Sequence, residues 1–194
     1  MDPPPLRMVP RQRRARRTVD EFCDASAQLL TTQGPRGFTT NHVAARAGYS
    51  IGTLYRWFPD KQVLLATLAQ REVGRQEAAV RAVLAAAPPG LGVEGLARIV
   101  VRAVMRPAMG ERLRQALFLL LPAGWPAAAA RAALPAVLPL LIEAVRHHGG
   151  LTVEGAVTAS IDAMVAATHQ PALFASAAFE DAMVRLVTDC LAPA

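Results

Sequence analysis

Between Thr39 and Lys61 the chain carries two short helical periods separated by a turn, and that spacing leaves few folds open to it. Thr39 is a good N-cap for a helix over about 40–46, because its hydroxyl accepts from a free backbone N–H of the first turn. Val43, Ala44 and Ala47 give this helix an inward face, and Gly48 supplies the left-handed residue that ends it. After the turn Ala47-Gly48-Tyr49, Ser50 caps a second helix over about 50–57. Its Ile51, Leu54 and Phe58 recur at i, i+3 and i+7 and point back at the first helix, while Gly52, Thr53, Tyr55, Arg56 and Trp57 lie on the other face. Pro59-Asp60 closes that helix, and Asp60 caps a third whose Val63, Leu64, Leu65 and Leu68 form a buried stripe. Gly52 costs about 1 kcal/mol relative to Ala inside a helix, which implies that something outside the pair approaches closely there.

Charge is concentrated around the same segment. Residues 1–75 hold twelve Lys/Arg against six Asp/Glu, a net of +6, whereas residues 76–194 hold nine of each. All the excess positive charge therefore lies in the half with the paired helices, as expected of a phosphate-binding surface. Arg11, Arg13, Arg14, Arg16 and Arg17 read either as a solvated tail or as an arm that orders on nucleic acid. Lys61 is a single lysine among twenty arginines, and a compact ammonium there suits a phosphate contact.

The run Thr-Thr-Asn-His-Val-Ala-Ala-Arg-Ala-Gly-Tyr-Ser-Ile-Gly-Thr-Leu-Tyr-Arg-Trp-Phe-Pro-Asp-Lys, with Gln33-Gly34-Pro35-Arg36-Gly37-Phe38 before it, resembles the DNA-binding signature of the TetR (tetracycline-repressor) family of bacterial regulators. The resemblance covers about residues 13–65; beyond about residue 70 only length and helical character are similar. Tyr49 stands where a small aliphatic residue is common, and Trp57 where His or Tyr is common. Trp57 reads two ways, as a phosphate contact through its indole N–H or as a packing residue.

The resemblance implies an all-α protein: a basic N-terminal arm (1–12), a three-helix helix-turn-helix domain (13–65) and a helical-bundle domain for ligand binding and dimerisation (66–194). It implies DNA contacts from Thr39, Thr40, Ser50, Ile51, Gly52, Thr53, Tyr55, Arg56, Trp57 and Lys61. Within that set Thr40, Ser50, Tyr55 and Lys61 hold phosphates, while Ile51, Thr53 and Arg56 face base edges. It also implies a two-fold dimer whose recognition helices enter successive major grooves about 34 Å apart on an approximately palindromic operator. Ligand binding would then act through the third helix of the motif and release a repressor from its operator.

The rest of the sequence bounds this reading. Hydrophobic residues make up 53% of the chain, mostly Ala, Leu and Val with little alternation, which points to helices. A first helix over about 13–33 buries Val19, Phe22, Cys23, Ser26, Leu29 and Leu30 and stops at Gly34. The helix beginning at Asp60 runs to about 86, and further segments follow at about 93–106, 110–121, 126–148, 153–169 and 178–191. Pro135 and Pro139 should kink the 126–148 helix, either leaving two shorter helices or opening space for a ligand. Met105, Met109, Phe118, Leu121, Trp125, Leu138 and Ile142, with His169 as a polar group, are candidate pocket residues for a small, largely apolar effector. Val157, Ile161, Met164, Phe179, Met183 and Leu186 form stripes on the last two helices that suit a dimer interface, although packing within one chain also explains them.

Other classes fit less well. No Gly-rich phosphate loop, nucleophile elbow or paired apolar carboxylates point to an enzyme, and the adjacent His147 and His148 diverge on a helix, so neither metal nor cofactor is expected. The apolar stretch Ala116–Val145 is broken by Pro122, Gly124, Pro126, Arg131, Pro135 and Pro139, which argues against a membrane span. Without a secretory segment at Met1–Pro10, and with two distant cysteines, the expected location is the cytoplasm. A ligand-independent dimeric DNA-binding protein remains the alternative to a ligand-gated regulator.

Overall fold

Why the chain folds as it does is clearest along its first helix, where apolar side chains recur every three to four residues. In the computed structural model, which describes residues 6–88, 90–105, 110–122 and 176–191 with backbone alone at 190 and 191, every regular element is helical. They are α1 (Arg13–Gln33), a 3-10 turn (Pro35–Gly37), α2 (Thr40–Ala47), α3 (Ile51–Trp57), α4 (Lys61–Ala85), α5 (Val93–Met105), α6 (Glu111–Leu120) and, next among the described residues, α7 (Ala177–Leu191). The expected helices over 126–148 and 153–169, with Pro135 and Pro139, lie outside the described residues. So do Met109, Trp125, Leu138, Ile142 and His169 of the candidate pocket and Val157, Ile161 and Met164 of the candidate interface.

The helices divide into two units. The first contains α1, α2, α3, α4 through Glu72, and α6; the second contains α4 from Val73, α5 and α7. In the first, α1 buries Val19, Phe22, Cys23, Ser26, Leu29 and Leu30, the stripe its periodicity predicts. Phe22 is the hub: its ring centroid lies 5.1 Å from that of Tyr49 and 5.9 Å, edge-on, from that of Phe58. Val63, Leu64, Leu65 and Leu68 of α4 are buried in the same core. Each such side chain contributes about 1.5–3 kcal/mol by leaving water, so this cluster dominates the stability of the unit.

One helix is placed differently from the sequence reading. α6 packs on α1 and adds Leu113, Ala116, Leu117 and, just beyond its end, Leu121 to the first unit's core, although the sequence assigned this stretch to the second domain. Apolar periodicity reveals which face of a helix is buried but not what buries it. Leu121, a candidate pocket residue, is therefore core of the first unit, with Phe118 half-buried on the same helix.

In the second unit α5 and α7 pack through Ala97, Val101 and Met105 against Met183 and Val184. Arg98 pairs with Asp181 at 2.8 Å and Arg102 with Glu180 at 2.6 Å along the edge of that contact. Met105, expected in a ligand pocket, is core here. Met183, expected on a dimer face, is consumed by packing within the chain, and Phe179 and Leu186 are half-buried against the same cluster. No described helix is long and apolar enough to cross a membrane.

Candidate nucleic-acid interface

The helix ends that the sequence marks are made as marked. Thr39 Oγ1 accepts the His42 N–H at 3.2 Å, Ser50 Oγ accepts the Thr53 N–H at 3.2 Å, and Asp60 Oδ1 accepts the Val63 N–H at 2.9 Å. Each such cap satisfies one of the orphan donors of a first turn. Gly48 takes φ 77°, the left-handed conformation that lets α2 end within one residue, and the Tyr49 N–H then reaches back to Ala44 O at 3.0 Å. The turn between α2 and α3 is thereby held by the backbone and by both flanking caps.

α3 is held by one face. Leu54 and Phe58 are fully buried, as expected. Ile51, counted with them by spacing, is 37% exposed, because nothing in the unit covers the first turn of α3; it joins the outward face with Gly52, Tyr55 and Arg56. Trp57 moves the other way. Expected on the outward face among the DNA contacts, it is 9% exposed and belongs to the core, since it stands three residues after Leu54 and shares that side of the helix. Its packing role is the one the structure realises.

The outward polar groups form two short pairs. Tyr55 Oη and Thr40 Oγ1 lie 3.2 Å apart, joining the start of α2 to the middle of α3, and Ser50 Oγ lies 2.9 Å from the half-buried Thr53 Oγ1. Lys61 is half-buried: its Nζ donates to Phe38 O at 3.1 Å and sits 5.1 Å from the Phe38 ring centroid. The lysine therefore ties the first turn of α4 to the segment entering α2, and keeps two further N–H groups for an acceptor. Gly52 is exposed, and a Cβ added there would meet only Ser50 Oγ at 3.8 Å, ordinary contact. Nothing inside the protein requires glycine at this position.

Sequence reasoning missed the groups that fix this face onto α1. Tyr49 Oη donates to Glu21 Oε2 at 2.6 Å, and Arg17 Nε donates to Glu21 Oε1 at 2.9 Å. The Tyr49 hydroxyl first, and then Arg17, hold the Glu21 carboxyl below the usual carboxylate range. The departure at Tyr49 was the available signal, but its partner lies 28 residues away in sequence. Arg46 reaches Gln28 at 3.2 Å, and Arg71 pairs with Asp24 at 2.8 Å, adding further ties to α1. Burial pushes the Cys23 thiol up to about 12, against the pull of Arg71, so it stays a protonated core group.

Chemically, the outward face offers hydroxyls, guanidinium and ammonium donors with apolar Ile51 beside them, a set suited to phosphates and base edges. Among the described residues no three of His, Cys, Asp and Glu gather to hold a metal ion. A cleft of about 330 Å³ between the end of α1 and α6 is lined by Leu30, Thr31, Gln33, Arg112, Gln115 and Leu119 among others, and by none of the candidate pocket residues.

Comparison with known proteins places this geometry. Residues 22–68 match the bacterial regulatory proteins of the tetR family. An HTH-type transcriptional regulator of Mycobacterium tuberculosis is 35% identical over 63 residues, which are 32% of this chain and 31% of that protein, so the match spans about a third of the relative's length. Among solved structures, RolR in complex with resorcinol superposes with a TM-score of 0.64 at 16% identity, covering 92% of this chain and 89% of its own. The multidrug binding protein EbrR complexed with imidazole gives 0.60 at 21% identity, covering 91% and 96%. At these identities the structures speak to the fold. Residues 22–68 thus carry the helix-turn-helix segment of the tetR family of bacterial regulatory proteins, on a helical fold similar to those of RolR and EbrR.

Proposed function

We propose that the protein is a dimeric, ligand-responsive repressor that reads an approximately palindromic DNA operator through α3. The observation that carries this reading is the outward face of α3, where Ile51, Gly52, Tyr55 and Arg56 are exposed while the opposite side is sealed into the core. Tyr55 with Thr40, together with Ser50 and Lys61, sets register on phosphates; Thr53, Ile51 and Arg56 face base edges, the first two through thymine methyls. A second protomer supplies the second α3 for the other half-site. The strain-free glycine at position 52 fits a surface that a DNA backbone or groove wall approaches closely.

Effector control is supported by two neighbours of the same fold that hold small molecules, resorcinol in RolR and imidazole in EbrR. It is also supported by chain continuity, since α4 begins in the DNA-facing unit at Lys61 and ends in the second at Ala85. A small, largely apolar effector that prefers one arrangement of the second unit would shift the population that fits the operator. Selection of bound duplexes from a random pool tests the reading. The expected result is an enriched inverted repeat whose preferred bases change when Thr53 is replaced by Val or Ala; a uniform loss of binding at Thr53 contradicts base reading. Screening metabolites against the resulting complex tests the effector, and a screen in which no small molecule changes operator affinity or melting temperature leaves a ligand-independent DNA-binding protein instead.

A further inference from the structure

Residues 6–12 lead into α1. Leu6 packs half-buried against the first unit's core, the Arg7 N–H donates to Trp57 O at 3.1 Å, and Arg16 Nε donates to Pro10 O at 3.1 Å. Residues 6–12 thus form a strap from the end of α3 to the start of α1. Six arginines fall within residues 6–17, and no acidic residue occurs from 3 to 19. Arg17 is paired with Glu21. The side chains of Arg7, Arg11, Arg13 and Arg14 are exposed and make no ion pair or hydrogen bond among the described residues.

This arrangement works against the fold. α1 starts at Arg13, its N-cap residue Gln12 makes no side-chain cap, and its first turn has no acidic residue, so Arg13 and Arg14 place positive charge at the positive end of the helix dipole. Clustered like charges on a short segment repel as well. A local rule broken with no gain inside the unit points to a partner outside it. Charge complementarity requires that partner to be a dense array of negative charge, and the strap's anchor at Trp57 sets it beside the exposed Arg56 of α3.

We propose that the strap is a second DNA-contacting surface, in which Arg7, Arg11, Arg13 and Arg14 hold phosphates of the duplex flanking the base pairs that α3 reads. The proposal rests on α3 facing DNA and extends it: the flank contacts are sequence-independent, add affinity and salt dependence, and leave the preference among operators unchanged. Anchoring at Trp57 removes part of the ordering cost that a free arm would incur on binding.

The test compares the full-length wild type with a variant carrying Arg7→Gln, Arg11→Gln, Arg13→Gln and Arg14→Gln on the duplex obtained by selection and on an unrelated duplex. Each lost phosphate contact reduces the slope of log affinity against log salt by about 0.9, so a variant that loses four contacts in each protomer of the dimer should be shallower by about 7 units, and weaker by at least about a hundred-fold on both duplexes. Its melting temperature should be equal to or above that of the wild type, because charges of the wrong sign have left the start of α1. Trimming the flanks of the selected duplex should weaken the wild type towards the variant and leave the variant unchanged. An unchanged slope, a loss confined to the selected duplex, or a fall in melting temperature alongside the loss overturns the proposal. A wild type that binds no duplex at all overturns the reading of α3 and the strap together, whereas a wild type that binds as the variant does overturns the strap alone.

Discussion

The first unit is built from bulky side chains around Phe22, whereas the α5–α7 contact of the second is built from smaller ones flanked by ion pairs. In the first, Phe22, Phe38, Phe58 and Leu54 are sealed from water and three capped helix ends fix the backbone. In the second, Ala97, Val101 and Val184 meet Met105 and Met183, with Arg98–Asp181 and Arg102–Glu180 at the edge. A surface that must present side chains to a rigid duplex needs a scaffold that does not repack. A helix pair held by small residues, adaptable methionines and a solvent-accessible Arg98–Asp181 pair tolerates rearrangement, because methionine refills altered gaps and exposed pairs contribute little.

That contrast can be broken by truncating each core. Phe22→Ala should cost about 3–5 kcal/mol in denaturant unfolding, and Met183→Ala about 2 kcal/mol, near the lower end of such substitutions. Equal losses would remove the distinction. Gly52→Ala sharpens it at the interface: the helix should gain about 1 kcal/mol of stability, since an added Cβ meets only ordinary contact. Binding to the selected duplex should nevertheless weaken about tenfold, which is about 1.4 kcal/mol lost at the DNA side. Stabilisation with undiminished binding would show that nothing approaches Gly52.

Thr39→Ala should cost about 1 kcal/mol, read in the same unfolding experiment, because the His42 N–H loses its acceptor. Tyr49→Phe should cost less and only under defined conditions. The folded-state pKa of Glu21 lies below its ordinary value, so its contribution is present above that ordinary value and is lost as pH falls through the folded pKa. Wild type and Tyr49→Phe should therefore differ in melting temperature at neutral pH and converge in acid. The smallest effect is expected at Arg98→Gln, whose partners Asp181 and Glu94 are solvent-exposed: a slight loss at low salt that disappears as salt is added.

How much of this was legible follows from the range of the interactions. Thr39, Gly48, Ser50 and Asp60 act within three or four residues of themselves, so caps and turn could be read from the chain. The α1 stripe was legible for the same reason. Trp57 and Ile51 exchanged faces because α3 is seven residues long, and over so short a helix the covering neighbours, not the period, decide which side is inside. The placement of α6 on α1 and the Tyr49–Glu21 bond depend on partners far along the chain, which periodicity does not encode. The strap was visible as charge, but its anchor at the Trp57 carbonyl is a backbone contact that no residue type announces.

The account stands on α3 of two protomers meeting one duplex, and footprinting of the full-length protein on its selected operator tests that most directly. Hydroxyl-radical cleavage should show two equivalent protected patches centred one helical turn apart, about 10 base pairs, each weakened together by Tyr55→Phe. A single patch, or protection that Tyr55→Phe leaves intact, would contradict it.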